Sequence, residues 1–202
     1  MVERVRPEFI EGPLQTALQT LPDYLKPGLT LVFVGINPSI YSSQRGRYFA
    51  RPTNRFWPAF TRSRLSLPVR EGLGLDSLTP EYDAALLDFG IGFTDVVKQP
   101  GANASLVTQE QFSEGAQLLR QRLEAYRPKV AAFHGLTAYR PFARYALNQP
   151  KAGASLGLQP ERLADTALFV VPNPSPANAH FKVADQTDWY DRLADFIDSL
   201  QH

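Results

Sequence analysis

Three short runs of apolar residues carry no polar alternation: Leu31–Val34, Val130–Phe133 and Ala167–Val171. Such runs are the pattern of strands covered on both faces of a parallel sheet. Gly90-Ile91-Gly92-Phe93-Thr94-Asp95-Val96-Val97 reads as a further extended segment with a polar tip at Thr94-Asp95. Helical spacing fills the intervals. Asn54 is placed to cap a helix from Arg55 to Arg64 with Phe56, Trp57 and Phe60 on its apolar side and Pro58 in its first turn. Pro80 opens a helix to about Leu87. Thr108 and Gln111 form a capping box for a long helix that ends near Tyr126, before Pro128, with Leu118, Leu119, Leu123 and Tyr126 as its core face. Thr137–Leu147 and Gln186–Leu200 complete the set, the last with Trp189, Leu193, Phe196, Ile197 and Leu200 at helical spacing.

Strands alternating with helices predict a doubly wound α/β fold: a three-layer α/β/α sandwich with a central, mainly parallel sheet. Residues 1–30, with Pro7, Pro13, Pro22 and Pro27, read as an irregular arm holding one short helix near Leu14–Leu21, and residues 31–202 as a single domain. Ile40–Pro52 reads as a loop, the stretch between Arg64 and Pro80 as polar and Gly-containing, and Lys151–Pro160 as an exposed turn region.

The polar residues that matter sit just past the strands. Gly35 ends the first run and Pro38 forbids continuation, so Asn37 is delivered to the carboxyl end of a strand, where open α/β sheets place their ligands. An ordinary Asn-Pro turn is the alternative. A second rigid polar loop, Pro172-Asn173-Pro174-Ser175-Pro176-Ala177-Asn178-Ala179, follows the last run.

Composition narrows the chemistry. Among 202 residues there is no cysteine, which removes disulfides, thiolate-bound zinc and iron–sulfur clusters. His134, His180 and His202 are not spaced as metal ligands, so neither metal nor cofactor is expected. No apolar run nears the roughly 18 residues of a membrane span, and Met1–Pro7 is too polar for a signal peptide, so a cytoplasmic protein with no membrane partner is expected. The net charge is +1, yet between Tyr24 and Arg70 there is no Asp or Glu, while Lys26, Arg45, Arg47, Arg51, Arg55, Arg62, Arg64 and Arg70 all fall there. A carboxylate-free stretch around the key loop favours a polyanionic partner over a merely solvated surface.

Gly35-Ile36-Asn37-Pro38-Ser39 and Asn173-Pro174-Ser175-Pro176, taken with Tyr48-Phe49-Ala50-Arg51-Pro52-Thr53-Asn54-Arg55-Phe56-Trp57, closely resemble the mismatch-specific uracil/thymine DNA glycosylases of the uracil-DNA glycosylase superfamily. Gly90–Thr94 and Phe133-His134-Gly135 are similar to that family as well, and the resemblance runs from Leu31 to the last helix. It implies a monofunctional, metal-independent DNA glycosylase of base excision repair. Such an enzyme hydrolyses the N-glycosidic bond of uracil turned out of DNA, notably in G:U mismatches. The expected partner is double-stranded DNA with uracil mismatches, single-stranded DNA being a second form, bound by a monomer in a bacterial cytoplasm.

By that resemblance Asn37 holds the attacking water, Phe49 stacks on the extruded base, and the Ile36 and Phe49 backbone amides meet the uracil carbonyls. Phe49 as an ordinary core residue is the alternative. Ser42 falls at the pyrimidine 5-position and is expected to favour uracil over thymine. Asn173, Pro174 and Ser175 match the loop that lies on DNA at the lesion, with Ser175 gripping a phosphate. Pro176, Ala177 and Asn178 stand where the family carries its wedge and its contact to the opposite guanine. Ala177 is a small plug, which predicts weak dependence on that guanine. Arg45, Arg47 and Arg51 are the expected phosphate contacts.

Asp95 departs from the better-known relatives, which carry no carboxylate there; it is either a catalytic group or an Asx cap at a strand end. His134 reads as structural and His180 as a surface residue. Two rivals stand beside this reading: a superfamily member that binds damaged or single-stranded DNA without cutting it, and a small nucleotide hydrolase. The second lacks a phosphate-cradling Gly-rich loop with Lys and a carboxylate cluster for magnesium.

Overall fold

The structure, a computed structural model, describes residues 19–150 and 153–200. Five strands form one sheet: β1 (Leu31–Gly35), β2 (Ile91–Asp95), β3 (Val130–His134), β4 (Gly157–Leu163) and β5 (Thr166–Val171), in the order β2-β1-β3-β5-β4. All pair in parallel except β4, which runs antiparallel on the edge of β5.

Each parallel strand is buried along its whole length because its alternate residues feed two cores. Leu31, Phe33, Ile91, Phe93, Val130, Ala132, Phe169 and Val171 join one, packed with α2 (Phe56–Arg62), α3 (Leu67–Leu73) and α6 (Val183–Ser199). Val32, Val34, Ala131, Phe133, Leu168 and Val170 join the other, with α4 (Gln109–Tyr126) and α5 (Leu136–Tyr145). The three-layer α/β/α sandwich with a mainly parallel sheet is therefore the observed architecture. The Thr108–Gln111 capping box is present, and the long helix begins at Gln109.

Five local expectations change. Ile40–Pro52 is not all loop: Ile40–Arg45 forms a short helix, α1, because the Ser39 side chain accepts from Ser42 N and Gly46 closes it at φ 65. The polar stretch after Arg64 contains α3, with Pro68 in its first turn and Gly74 ending it in the left-handed region. The Pro80 helix is two 3-10 turns, Pro80–Tyr82 and Ala84–Phe89. The expected turn at Lys151–Pro160 contains the start of β4, whose proline is tolerated on an edge strand at a register shift between Leu158 and Arg162. Leu118, assigned to a core face, is 47% exposed; Leu119 and Leu123 carry that face with Ala116. The helix expected near Leu14 lies mostly outside the described residues.

The segment ahead of β1 is stitched to the sheet. Leu21 and Leu29 are buried, and Tyr24 exchanges two backbone hydrogen bonds with Phe93 (2.9 and 3.1 Å). Gly92 makes that crossing possible, since a Cβ there would stand 2.2 Å from the Tyr24 carbonyl oxygen.

Candidate active site at the carboxyl ends of the strands

Parallel strands point their carboxyl ends the same way, so the loops after β1, β2, β3 and β5 share one rim. Asn37 and the 173–178 loop both lie on it. Arg55 fastens two of its parts together. Its backbone N donates to the Pro174 carbonyl (3.0 Å), and its guanidinium donates to the carbonyls of Ser175 (2.7 Å) and Asn178 (3.2 Å). The loop is further shaped by Asn173, whose side chain accepts from Ser175 N, and by Asn178, whose side chain donates to the Asn173 carbonyl. Pro174 is buried, Asn173, Ser175 and Asn178 are half-buried, and Pro176 and Ala177 are exposed.

Asn37 is half-buried, with its amide 3.4 Å from the Gln99 carbonyl. Ile36 is buried, and its carbonyl accepts from Val97 N, which extends the β1–β2 pairing into the rim. Phe49 sits in the left-handed region at φ 54 and remains partly exposed. Its ring stacks on Phe56 (4.4 Å between centroids) and meets Phe93 and His134 edge-on. It is thus an aromatic surface backed by core rings, not an interior residue.

Two polar anchors hold that loop. Asp83, fully buried, accepts from Tyr48 N (2.9 Å) and from the Arg47 guanidinium (2.8 Å). Ser42, 5% exposed, accepts from Ala50 N at 3.3 Å and hydrogen-bonds Ser39 at 3.0 Å. Arg47 is therefore engaged within the protein, whereas Arg45 lies over the Tyr41 ring and Arg51 is exposed.

Asp95 ends β2 opposite Gly35, on the face that carries Phe33 and Phe93. Its carboxylate lies against Gly35 so closely that a Cβ there would stand 2.4 Å from Oδ1. Only glycine fits under it. Among the described residues no backbone amide donates to the carboxylate. Its Oδ2 has no hydrogen-bond partner among the described residues, the Lys98 ammonium standing 3.5 Å away. Burial drives the carboxyl up, Lys98 partly offsets this, and the result is about 6 against the ordinary 3.8. His134, at the end of β3, is buried, bonded through Nε2 to the Tyr190 hydroxyl (3.0 Å) and stacked on Phe33. Burial pushes its pKa down to about 3, so it stays uncharged. His180 is exposed.

Sequence reasoning did not find Arg55, Asp83, Lys98 or Asp23 as site-building residues. The signal for Asp83 and Asp23 was that they are the first carboxylates on either side of the basic stretch apart from exposed ones, but only folding shows their partners. Among the described residues no group of three or more His, Cys, Asp or Glu stands close enough to hold a metal ion. Two surface grooves lie away from this rim, one between α4 and α5 and one beside Leu31 and Ile91 at the opposite strand ends. They carry none of the polar groups described above.

An open parallel sheet with an Asn, a buried carboxylate and a backed aromatic ring at its strand ends defines an α/β protein equipped to hold a flat polar ligand there. The family model of the uracil DNA glycosylase superfamily matches residues 22–196, and the chain belongs to that superfamily. Membership carries DNA glycosylase chemistry, a hydrolysis with DNA as the molecule acted on. Among solved structures, a Methanosarcina acetivorans protein determined by NMR and provisionally described as a uracil DNA glycosylase shares the fold. The TM-score is 0.52 and the identity 21%, over 92% of this chain and 99% of that one.

Proposed function

We propose that the chain is a monofunctional uracil-DNA glycosylase that needs no metal and removes uracil turned out of DNA, G:U mismatches included. The observation that carries this reading is the Asp95 carboxylate, buried, unpaired at Oδ2 among the described residues and seated on Gly35, on the sheet face where the Phe49 ring meets Phe93. In the proposed reaction water oxygen bonds to the sugar C1′ while the C1′–N1 bond breaks and its electron pair leaves with uracil. Asp95 takes the proton from the water and faces the positive charge on the sugar, and a carboxylate titrating near 6 suits that task at neutral pH. Asn37 orients the water, since an amide is a poor base but a good positioning group. Phe49 stacks on the base, and backbone amides of the Ile36 and Phe49 loops receive the charge developing on its carbonyls.

The 173–178 loop meets the DNA backbone, with Ser175 on a phosphate. Arg45 and Arg51 add phosphate contacts that weaken with salt. Ser42, closed onto Ala50 next to Phe49, favours uracil over thymine at the 5-position; G:T excision as fast as G:U would refute this. Ala177 is exposed but small, so the opposite guanine matters little and single-stranded uracil is cut comparably.

The test is release of free uracil from labelled oligonucleotides carrying G:U, A:U, G:T and single-stranded uracil, with Asn37→Ala and Asp95→Asn beside the wild type. Excision that collapses in both variants is expected. Binding without release would make this a non-catalytic member, and full activity in Asp95→Asn would remove that carboxylate from the reaction.

A further inference from the structure

The chain before β1 does more than cover the sheet. Where Tyr24 crosses β2, it lays Asp23 beside Thr94, and Asp23 collects three donors there. Its Oδ1 accepts from the Thr94 hydroxyl (2.6 Å) and the Lys98 ammonium (2.9 Å), and its Oδ2 from the Arg122 guanidinium of α4 (2.9 Å). Arg122 also donates to the Asp95 carbonyl at 3.2 Å. Lys98 in turn donates to the Tyr48 hydroxyl (3.2 Å), which itself donates to the Pro22 carbonyl (2.9 Å). The same ammonium stands 3.5 Å from Asp95 Oδ2. Asp23 is thus paired with both cations, and one lysine is shared unequally between Asp23 and Asp95.

We propose that Lys98 and Asp23 are positioning residues that tune the proposed catalytic carboxylate, Lys98 as its counter-ion and Asp23 as the competitor that draws that counter-ion away. The inference rests on the reading of Asp95 given above. Among the described residues, the charged and titratable groups facing Asp95 come from the elements packed around it. Asp23 comes from the segment before β1, Tyr48 from the pocket loop, Lys98 from the loop after β2 and Arg122 from α4, while His134 on β3 is uncharged. β1 contributes only Gly35. Burial raises the Asp23 carboxyl, but Lys98, Thr94 and Arg122 more than offset it, so Asp23 stays ionised and keeps its hold on Lys98.

The signs follow from charge alone. Without the lysine, Asp95 holds its proton more tightly and works only at higher pH. Without the Asp23 charge, Lys98 is released to Asp95, which then ionises at lower pH. A residue with a merely structural role lowers the rate without moving the acidic limb in opposite directions in the two variants.

The experiment is single-turnover uracil excision from a G:U duplex as a function of pH, on wild type, Lys98→Met, Lys98→Arg, Asp23→Asn and Asp95→Asn. The acidic limb is expected to rise by about one pH unit in Lys98→Met, to return in Lys98→Arg, and to fall by about half a unit in Asp23→Asn. Limbs that stay in place, or move in the same direction, in Lys98→Met and Asp23→Asn overturn the proposal. If Lys98→Met does not fold, Asp23→Asn, which keeps the side-chain size, decides alone by the direction of its shift. Asp95→Asn separates the two levels. An acidic limb that persists there refutes Asp95 as the catalytic group, whereas loss of activity there with unmoved limbs elsewhere refutes only the tuning by Lys98 and Asp23.

Discussion

Asp95→Asn should make the protein more stable and less active at the same time. The carboxyl is 3% exposed and titrates at about 6 instead of 3.8. A folded-state pKa above the unfolded value means that the folded protein binds the proton more tightly. The stability this gives is fully present below about pH 3.8 and is lost as pH rises through about 6. Above that the ionised carboxylate is held in a buried place at a cost of about 3 kcal/mol, from a shift of roughly two units at 1.36 kcal/mol each. Asparagine has the same shape and no charge to bury, while Lys98 retains Asp23 and Tyr48 as partners. At pH near 7.5 the variant should therefore unfold roughly 6–12 °C higher than wild type. The gain should shrink as pH falls and vanish near pH 4. Excision should drop by about 10²–10⁴-fold. Calorimetry across that pH range, beside single-turnover kinetics, tests both halves. A melting temperature at neutral pH equal to or below that of wild type refutes the argument that Asp95 is held against its own solvation, and with it the physical reason for its raised pKa.

Other predictions concern the supports of the rim. Gly35→Ala drives a Cβ into Asp95 Oδ1 and should lower the single-turnover rate about as far as Asp95→Asn does, with duplex binding retained; a variant with wild-type turnover contradicts the seating of that carboxylate. Arg55→Ala removes the two guanidinium bonds to the 173–178 loop and leaves only the backbone bond to Pro174, so KM for duplex should rise by about tenfold while the folded state persists by circular dichroism. Arg47→Ala strips the buried Asp83 of its cation and should cost about 1–3 kcal/mol in urea unfolding. Arg51→Ala should leave stability unchanged and flatten the salt dependence of binding by about one unit of slope.

Reading the chain alone succeeds where local chemistry decides. The β1 run, Gly35 and Pro38 place Asn37 at a strand end without help from the rest of the molecule, and Thr108 with Gln111 marks a helix start by itself. It fails where a distant partner decides. Gly157–Leu163 is a strand only because β5 offers it an edge, against its own proline and glycine content. Arg55 sits in an arginine-rich stretch and reads as one more surface cation until the 173–178 loop comes within reach. Lys98 stands three residues after Asp95, but its pairing with Asp23 depends on Tyr24 crossing β2 at Gly92. The surroundings of the Asp95 carboxylate, with Lys98 3.5 Å from Oδ2 and Gly35 beneath it, could not be read from neighbours in sequence alone, because the chain crossing at Gly92 and the β1–β2 register set them.

The bonds from Arg55 to the 173–178 loop all end on main-chain carbonyls, of Pro174, Ser175 and Asn178. Such a clasp is indifferent to what the loop carries at its tip. Pro176 and Ala177 can be exchanged for bulkier or charged residues with the mounting unaltered, much as a tool holder accepts different bits. Under the proposed function, recognition of the opposite strand would then be free to diverge between relatives, or to be rewritten in the laboratory, without disturbing Asn37 and Asp95.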